Sequence, residues 1–513
     1  MSCASPSPAD SGVSQVTVAI SSGPGFTTWW NEGVSNWVAQ SAPFWNTTNV
    51  AYSGADSGTW AWTHVGGVPS FQSSVRYLVL SSATDVAGNV QDSTATGVTG
   101  NVFGFDDVAP LAGVSLPADG SEVNALGTVS GTASDDYSGV SSLAVEIGYT
   151  QAGVTKYWTG TVNLPNDTFQ TGATNLNGSY VGGSGPGFSS GTWSYVDAGL
   201  TPPALVSGTT YFIQVAGTDN AGNAAAFSSA TFLFDSQASS PVITAPSYFY
   251  YGPSNALASI SGTAQAQPLG NPLAQLSQVQ VRLEDTNNIT YWTGSSWTAT
   301  ANTWDTAVGT ASWSVSGSSV PAWQNATQYE INARDIDQAD NTSSYSTATF
   351  VWDSSGPPVQ LQAPDQAYEP APLSILSGTA FDSGSGVYFS GLSAIGVSIK
   401  NIGLGEYWNG TTFSGNLSEI FLPVSSAFTQ GTRNSQGAQS VNWSLTGSTP
   451  TWVSGTSYRV NVQAQDAAGN PNVNLSSFTF IYDANIPQVG VTLPNSGRWN
   501  TLSLIQGTAG EGA

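Results

Sequence analysis

The 513-residue sequence contains one cysteine, one methionine, one histidine and only 8 lysines and arginines. A single thiol, Cys3, excludes an intramolecular disulfide framework and a cysteine-based zinc or iron–sulfur site, so stability must come from packing. Eight cations against 32 carboxylates leave a net charge of −24. That balance gives no electrostatic footprint for nucleic acid or for an anionic membrane surface. No apolar run approaches the roughly 20 residues that a membrane-spanning helix needs, so neither nucleic acid nor a membrane span is expected. Few nucleophile–base pairs can be assembled from His64 and the two lysines, Lys156 and Lys400. No serine elbow surrounds His64, which closes Trp62-Thr63-His64 at a strand end and reads as a surface residue. No apolar signal core follows Met1-Ser2-Cys3; any export signal is expected to have been removed or to lie outside this sequence.

What is present is apolar and aromatic. Charged residues make up 8% of the chain, against roughly 25% in typical soluble domains, yet 40% is hydrophobic and 18 residues are tryptophan. A disordered acidic chain would lack those side chains. The sequence therefore folds, with hydroxyls and amides covering much of its surface. Abundant Gly, Ser, Thr, Asn and Pro beside scarce Cys, Met, Lys and Glu suggest an exported prokaryotic protein, extracellular or at the cell surface.

An internal repeat organises the chain. Asp-x-Ala-Gly-Asn occurs at Asp85 to Asn89, Asp219 to Asn223 and Asp466 to Asn470, with a degenerate copy at Asp337 to Asn341. Successive copies are 134, 118 and 129 residues apart, and a tyrosine stands eight residues before each: Tyr77, Tyr211, Tyr329 and Tyr458. Downstream come an aromatic and an aspartate, Phe105-Asp106, Phe234-Asp235, Trp352-Asp353 and Tyr482-Asp483, then Pro110, Pro241, Pro357 and Pro487. These prolines read as links between units, because proline fixes φ and cannot donate to a ladder. Between them lie short alternating runs such as Tyr211 to Ala216 and Tyr458 to Gln463, which are strands. No helical period stands out, so each unit is expected to be an antiparallel sandwich. Asp-x-Ala-Gly-Asn then joins its last two strands, with Gly and Asn expected to supply the positive φ of a tight turn.

Leu205 to Tyr211 and Trp452 to Tyr458 resemble the Leu-x-x-Gly-Thr-x-Tyr tyrosine corner of immunoglobulin-like and fibronectin type III sandwiches. Trp323 to Tyr329 keeps most of that pattern, and Phe71 to Tyr77 only its ends. The run from tyrosine corner through Asp-x-Ala-Gly-Asn to aromatic-Asp and Pro is similar to the bacterial Ig-like tandem repeats of surface proteins and adhesins. The expected fold is all-β: tandem immunoglobulin-like antiparallel β-sandwich domains in an extended rod. Boundaries are expected at 1–108 (an incomplete domain lacking its first strands), 109–237, 238–355 and 356–485, with 486–513 supplying the opening strands of a further unit.

The two ends are expected to be complementary. Complete units open with a strand and then a second one ending in Gly-Thr-Ala, at Gly131, Gly262 and Gly378; in two of them Ser-x-Gly-Val or Ser-Gly-Val follows, with Val140 and Val387. Asp10 to Ile20 parallels Asp136 to Ile147, whereas Val489 to Leu493 and Leu502 to Ala509 supply the two opening strands. Joining one copy's end to another's start gives a motif spacing of 132 residues, inside the internal range. Two readings stand side by side: a stretch of a longer array flanked by neighbouring repeats, or a subunit that polymerises head to tail with other copies of itself by donor-strand complementation. In the second, a filament forms through Val489, Val491, Leu493, Leu502, Leu504 and Ile505.

Of the 32 acidic residues 23 are Asp, many at equivalent repeat positions. An Ig-like topology gathers Asp106, Asp107, Asp135, Asp136 and Asp219 at one junction and Asp353, Asp382 and Asp466 at another. Asp235, Asp337 and Asp483 are the corresponding acids elsewhere. Carboxylates that close repel unless a cation neutralises them, and hard oxygens suit Ca²⁺; the resemblance also implies calcium-stiffened arrays. Against it, Asp caps turns without any metal, and Gln265 and Gln267 stand where the third unit would need Asp. Aromatic pairs precede Gly turns at Trp29-Trp30, Tyr157-Trp158, Tyr291-Trp292 and Tyr407-Trp408, and further tryptophans recur at Trp60, Trp193, Trp313 and Trp443. Exposed, Trp158, Trp292 and Trp408 would make a carbohydrate-binding array for surface glycans; buried, they are core and hairpin residues. Sequons at Asn46, Asn177, Asn288, Asn325, Asn409 and Asn416 read as surface-loop signals. A paired-carboxylate hydrolase would need acids unique to one unit, whereas these recur. The chain reads as a non-enzymatic structural or adhesive repeat protein.

Overall fold

The computed structural model describes residues 12–47, 50–54, 58–63, 69–91, 100–160, 169–182, 189–201, 204–300, 303–382, 386–424, 437 and 439–511; Cys3 and His64 lie outside them. The described residues form strands, joined by turns and one 3₁₀ turn at Gly317–Ser319. Two compact units divide the chain. One comprises Met1–Gln237, Gln267–Gln275 and Gln338–Asp340, the other Ala238–Ala266, Leu276–Asp337 and Asn341–Ala513.

In the first unit, residues 111–234 build two facing sheets. One orders the strands Ser179–Gly182, Ser189–Val196, Thr128–Asp135 and Leu111–Leu116. The other runs from Phe169–Gln170 through Val154–Trp158, Val140–Gln151, Thr209–Asp219 and Ser228–Phe234 to the short strand Ser121–Val123. Alternation decides which side faces in: Tyr211, Ile213 and Val215 are buried while Phe212, Gln214 and Ala216 are not. The inward rows of both sheets meet in one core, Val129 and Trp193 against Val145, Ile147 and Phe232.

The second unit repeats the arrangement twice. Strands Val242–Ala245, Ser259–Thr263 and Ser312–Ser316 face a sheet centred on Leu276–Asp285 and Thr327–Asp337; Val359–Ala363, Ile375–Asp382 and Gln439–Thr446 face one centred on Leu392–Asn401 and Thr456–Asp466. Each of these three sandwiches has one parallel pairing, between the short strand near its start and its final strand: Ser121–Val123 with 232–234, Tyr250–Tyr251 with 351–352, and Tyr368–Glu369 with 481–482.

The N-terminal residues build the strands Val13–Ser22 and Val75–Asp85, flanked by Thr28–Asn31, Asn36–Ala39 and Asn101–Phe105, and a separate hairpin of Val50–Gly54 with Gly58–Trp62. Among the described residues, no strand there corresponds to Leu111–Leu116, Ser121–Val123 or Thr128–Asp135. At the other end, among the described residues, Gln488–Leu493 and Gln506–Gly510 pair only with each other.

The repeated tyrosine closes a corner in all four places. Its hydroxyl accepts a backbone N–H five residues upstream: Gln72 to Tyr77 at 2.9 Å, Val206 to Tyr211 at 3.0 Å, Gln324 to Tyr329 at 2.9 Å and Val453 to Tyr458 at 3.1 Å. In the Asp-x-Ala-Gly-Asn turns only the glycine takes positive φ, 88° at Gly88, 97° at Gly222 and 88° at Gly469. Asp340 does so at 65° in the degenerate copy. The motif asparagine, expected to share that conformation, does not; its side chain is engaged instead with the motif aspartate.

Candidate metal centres at the sandwich junctions

Each motif turn is held by a reciprocal clamp. Asn223 donates its backbone N–H to one oxygen of Asp219 and its Nδ2 to the other, both at 2.8 Å; Asn470 does the same to Asp466, again at 2.8 Å twice. The same Nδ2 reaches the preceding link. Asn223 donates to the carbonyl of Asp106 at 3.0 Å and Asn470 to that of Asp353 at 2.7 Å. The asparagine thus ties a sandwich to the strand that enters it.

Two aspartate trios follow from that tie. Asp106, Asp135 and Asp219 each bring a carboxylate oxygen within 4.8 Å of the others, as do Asp353, Asp382 and Asp466. Three separated segments contribute: the link leaving one sandwich, the end of the Gly-Thr-Ala strand and the start of the motif turn. Asp106 accepts from Ser73 Oγ at 3.0 Å, Val108 N at 3.1 Å and Ser138 N at 2.9 Å. Burial alone would push its pKa up, but the bonds from Ser138, Val108 and Ser73 outweigh it and hold the group below its ordinary value. Asp135 accepts from Tyr137 N at 3.0 Å and Gly139 N at 2.6 Å, both on Oδ2. Its Oδ1 is buried without a hydrogen-bond partner, on a side chain only 3% exposed. A buried carboxylate oxygen left unpaired among two further carboxylates is costly, and a hard cation would relieve that cost. The residues present therefore fit calcium, which takes carboxylate and carbonyl oxygens.

The second trio is more deeply buried. Asp353 accepts from Ser355 N at 3.0 Å and Ser390 N at 2.8 Å, and Asp382 from Gly391 N at 2.5 Å. Burial first, and the Asp353 carboxylate next, push Asp382 up to about 7. Burial also lifts Asp466, to about 6, against the bonds it receives from Asn470. Protonation is the metal-free way of relieving such crowding.

The other acids expected at junctions are placed differently. Asp107 and Asp136 are exposed and stand outside the first trio, Asp136 accepting from Ser74 Oγ at 2.9 Å. In the first unit Asp235 is buried and accepts from Ser207 Oγ and Gln237 N, both at 2.8 Å. In the second, buried Asp337 takes both donors of Asn341 at 2.9 Å, and half-buried Asp483 accepts from Asn485 N at 3.0 Å. The backbone donors Ser138 and Ser390 escape sequence reasoning. Alignment on Ser-Gly-Val pairs Val140 with Val387, whereas the ladders pair Val140 with Asp219 and Leu392 with Asp466. Leu392, not Val387, is thus the counterpart of Val140, and Ser390-Gly391 that of Ser138-Gly139.

Of the three tryptophans weighed as a glycan platform, none is exposed. Trp158 is fully buried, its Nε1 donating to Asp197 at 2.9 Å. Trp292 and Trp408 are partly buried against their cores, donating to the carbonyls of Ser319 and Ser448 at 2.9 and 2.8 Å. Cross-strand aromatic packing, not display, decides their place. Among the sequons, Asn46 is buried, its Nδ2 donating to the carbonyls of Val18 and Trp30, so it is no acceptor for a sugar. Of the C-terminal residues expected to polymerise, Val489, Val491, Leu502, Leu504 and Ile505 are exposed and Leu493 is half-buried. No helix among the described residues is long and apolar enough to cross a membrane.

No protein-family model matches the sequence, and no curated protein sequence matches it. Solved structures do. Part of a 1.5-MDa bacterial ice-binding adhesin is similar over 73% of this chain and 98% of its own, at 19% identity and a TM-score of 0.30. A tetra-tandem repeat from the extending region of a large adhesion protein is similar over 93% of both chains, at 17% identity and a TM-score of 0.30. Fibronectin(III)-like modules of Clostridium thermocellum CbhA are similar over 47% of this chain and 94% of theirs, at 14% identity and a TM-score of 0.21.

Proposed function

We propose that the chain is a non-enzymatic extracellular structural element, a spacer or adhesive array of Ig-like sandwiches whose joints are fixed by Ca²⁺. The observation that carries this reading is the first trio, where Asp135 Oδ1 is buried without a donor beside Asp106 and Asp219. Within this reading each trio holds one ion, and Asp106 and Asp353, sitting on the links, make the joint part of the binding site. Calcium would supply neutralising charge and bridge the three segments; the aspartates orient themselves beforehand through Ser138, Gly139, Ser390, Gly391 and the two motif asparagines. An acid set repeated at two joints serves mechanics rather than turnover, because it recurs where the chain changes sandwich. Strand donation by residues 486–513 extends the same array. Thermal melting of the full chain with millimolar Ca²⁺ and with chelator tests the calcium reading. A rise in melting temperature on adding Ca²⁺, reduced in Asp135→Asn and in Asp382→Asn, is expected; melting unmoved by both Ca²⁺ and chelator rejects it.

A further inference from the structure

Three complete sandwiches show what covers an opening hairpin in this protein. Val114 lies opposite Gly131, Ile243 opposite Gly262 and Leu361 opposite Gly378, each followed by the same register shift. The final hairpin repeats this with Val491 opposite Gly507. Two residues before the glycine stand Val129, Ile260 and Leu376, all buried, whereas Ile505 is 71% exposed. Five before it stand Leu126 and Leu257, also buried, whereas Leu502 is 48% exposed. Five residues after the proline that ends the first strand come Glu122, Tyr251 and Glu369, all buried; the fourth counterpart, Trp499, is 50% exposed. Leu504, by contrast, occupies the outward position of Ile375, exposed in both places.

The N-terminal sandwich has the converse deficit. Its hairpin sets Tyr52 opposite Trp60 as Tyr180 stands opposite Trp193. Trp193, Trp313 and Trp443 are buried under the Gly-Thr-Ala strand, but Trp60 is 40% exposed. Phe103 pairs with Tyr77 as Phe232 does with Tyr211; Phe232 is buried beside its parallel strand, and Phe103 is 37% exposed. Among the described residues, nothing pairs with the open edges of Gly58–Trp62 and Asn101–Phe105. The charged positions match as well. Asp483 and Glu511 stand where Asp106 and Asp135 do, and Asp85, clamped by Asn89 at 2.7 Å twice, stands where Asp219 does.

We infer that residues 486–511 of one copy complete the N-terminal sandwich of a second copy, head to tail, with Gly507 seated beneath Trp60 and Ile505, Leu502 and Trp499 entering its core. This deepens the reading above and rests on it for the calcium: the joint gathers Asp483 and Glu511 of one copy with Asp85 of the next. A head-to-tail contact of this kind does not close on itself, so growth is linear.

The pairing of Thr132 with Thr192 puts Thr508 of one copy opposite Thr59 of the next. In a Cys3→Ser background, full chains carrying Thr59→Cys and Thr508→Cys are mixed and oxidised. A disulfide dimer is expected from the mixture, and a ladder of multimers from the double variant. Sedimentation of the chain without introduced cysteines should show concentration-dependent association, weakened at least about 100-fold by Val491→Glu or Ile505→Glu, which place a charge in the shared core but are exposed in the single copy. Monomers at all concentrations, in Ca²⁺ and in chelator, with no mixed dimer, overturn the docking and leave the internal trios unaffected. Association that persists undiminished in chelator supports the docking and removes calcium from this joint.

Discussion

The indole of Trp193 lies over Gly131, donating from Nε1 to the carbonyl of Gly113 at 3.0 Å. A Cβ at Gly131 would overlap that carbonyl oxygen and come within 2.7 Å of the indole nitrogen. Trp313 over Gly262 and Trp443 over Gly378 repeat the close approach of ring to glycine, without the hydrogen bond from Nε1. The glycine in Gly-Thr-Ala is therefore a seat for a ring. Gly378→Ala is expected to destabilise its sandwich by about 3 kcal/mol or more, because backbone lies on one side and a buried ring on the other. Urea unfolding followed by tryptophan fluorescence measures it; a loss below about 0.5 kcal/mol would contradict the packing described.

The tyrosine corner makes a second prediction. Tyr211→Phe leaves the Val206 N–H without its acceptor while keeping the ring that stacks on Phe232. Losing a part-buried hydrogen bond costs about 0.5 to 1.5 kcal/mol, and Tyr458→Phe should behave alike at Val453. Equal unfolding midpoints for Tyr211→Phe and the unmodified chain would show the hydroxyl to be idle.

Acidity should act on the second trio in an unusual direction. Asp382 and Asp466 titrate at about 7 and about 6 in the folded chain, above the roughly 3.9 of an unfolded aspartate. Their contribution to stability is thus complete below about pH 4 and is lost as pH rises through about 6 to 7. In chelator, the melting of this sandwich should fall across that range, and Asp382→Asn should flatten the fall. Calcium binds the ionised oxygens, so the stabilisation it gives should grow with pH over the same interval. Calorimetry at about pH 5, 6, 7 and 8, with and without Ca²⁺, separates the two trends.

Asp135→Asn tests the first trio. Its Oδ2 bonds from Tyr137 and Gly139 can be kept by the amide oxygen, while the oxygen without a donor becomes an NH₂ group. The calcium-dependent gain, about 2.7 kcal/mol when the ion is at 100 times its dissociation constant, should vanish for this joint, and the metal-free chain should be no less stable than before. Calorimetry in chelator and in Ca²⁺ reads both arms.

Much of this architecture is written in periodicity. Tyr211, Ile213 and Val215 alternate with half-buried neighbours, and the fixed distance from Tyr211 to Asp219 is the length of one strand. The trios were legible because Asp recurs at equal phase in the second and fourth repeats. Ser138 and Ser390 were not, since they act through backbone N–H groups that any residue carries, and the local match at Val387 misled because Ser-Gly-Val is too short to fix a register. The fate of Trp158 was equally closed to sequence: an indole suits a core or a sugar platform, and only the facing sheet, with Asp197 waiting for its N–H, decides.

The parallel pairings have a mechanical consequence. In the sandwich of residues 111–234 the short strand Ser121–Val123, which follows the opening strand, runs parallel to the strand by which the chain leaves, bonded by Gly120 N to Thr231 O at 2.8 Å and Asp235 N to Val123 O at 2.9 Å. Its fourth-repeat counterpart uses Ile481 N to Ala367 O at 2.9 Å and Asp483 N to Glu369 O at 3.0 Å. A pull on the two ends slides these strands past each other, so their bonds must shear together instead of peeling one after another. Tension that passes the opening strand is thus met by bonds that must break together.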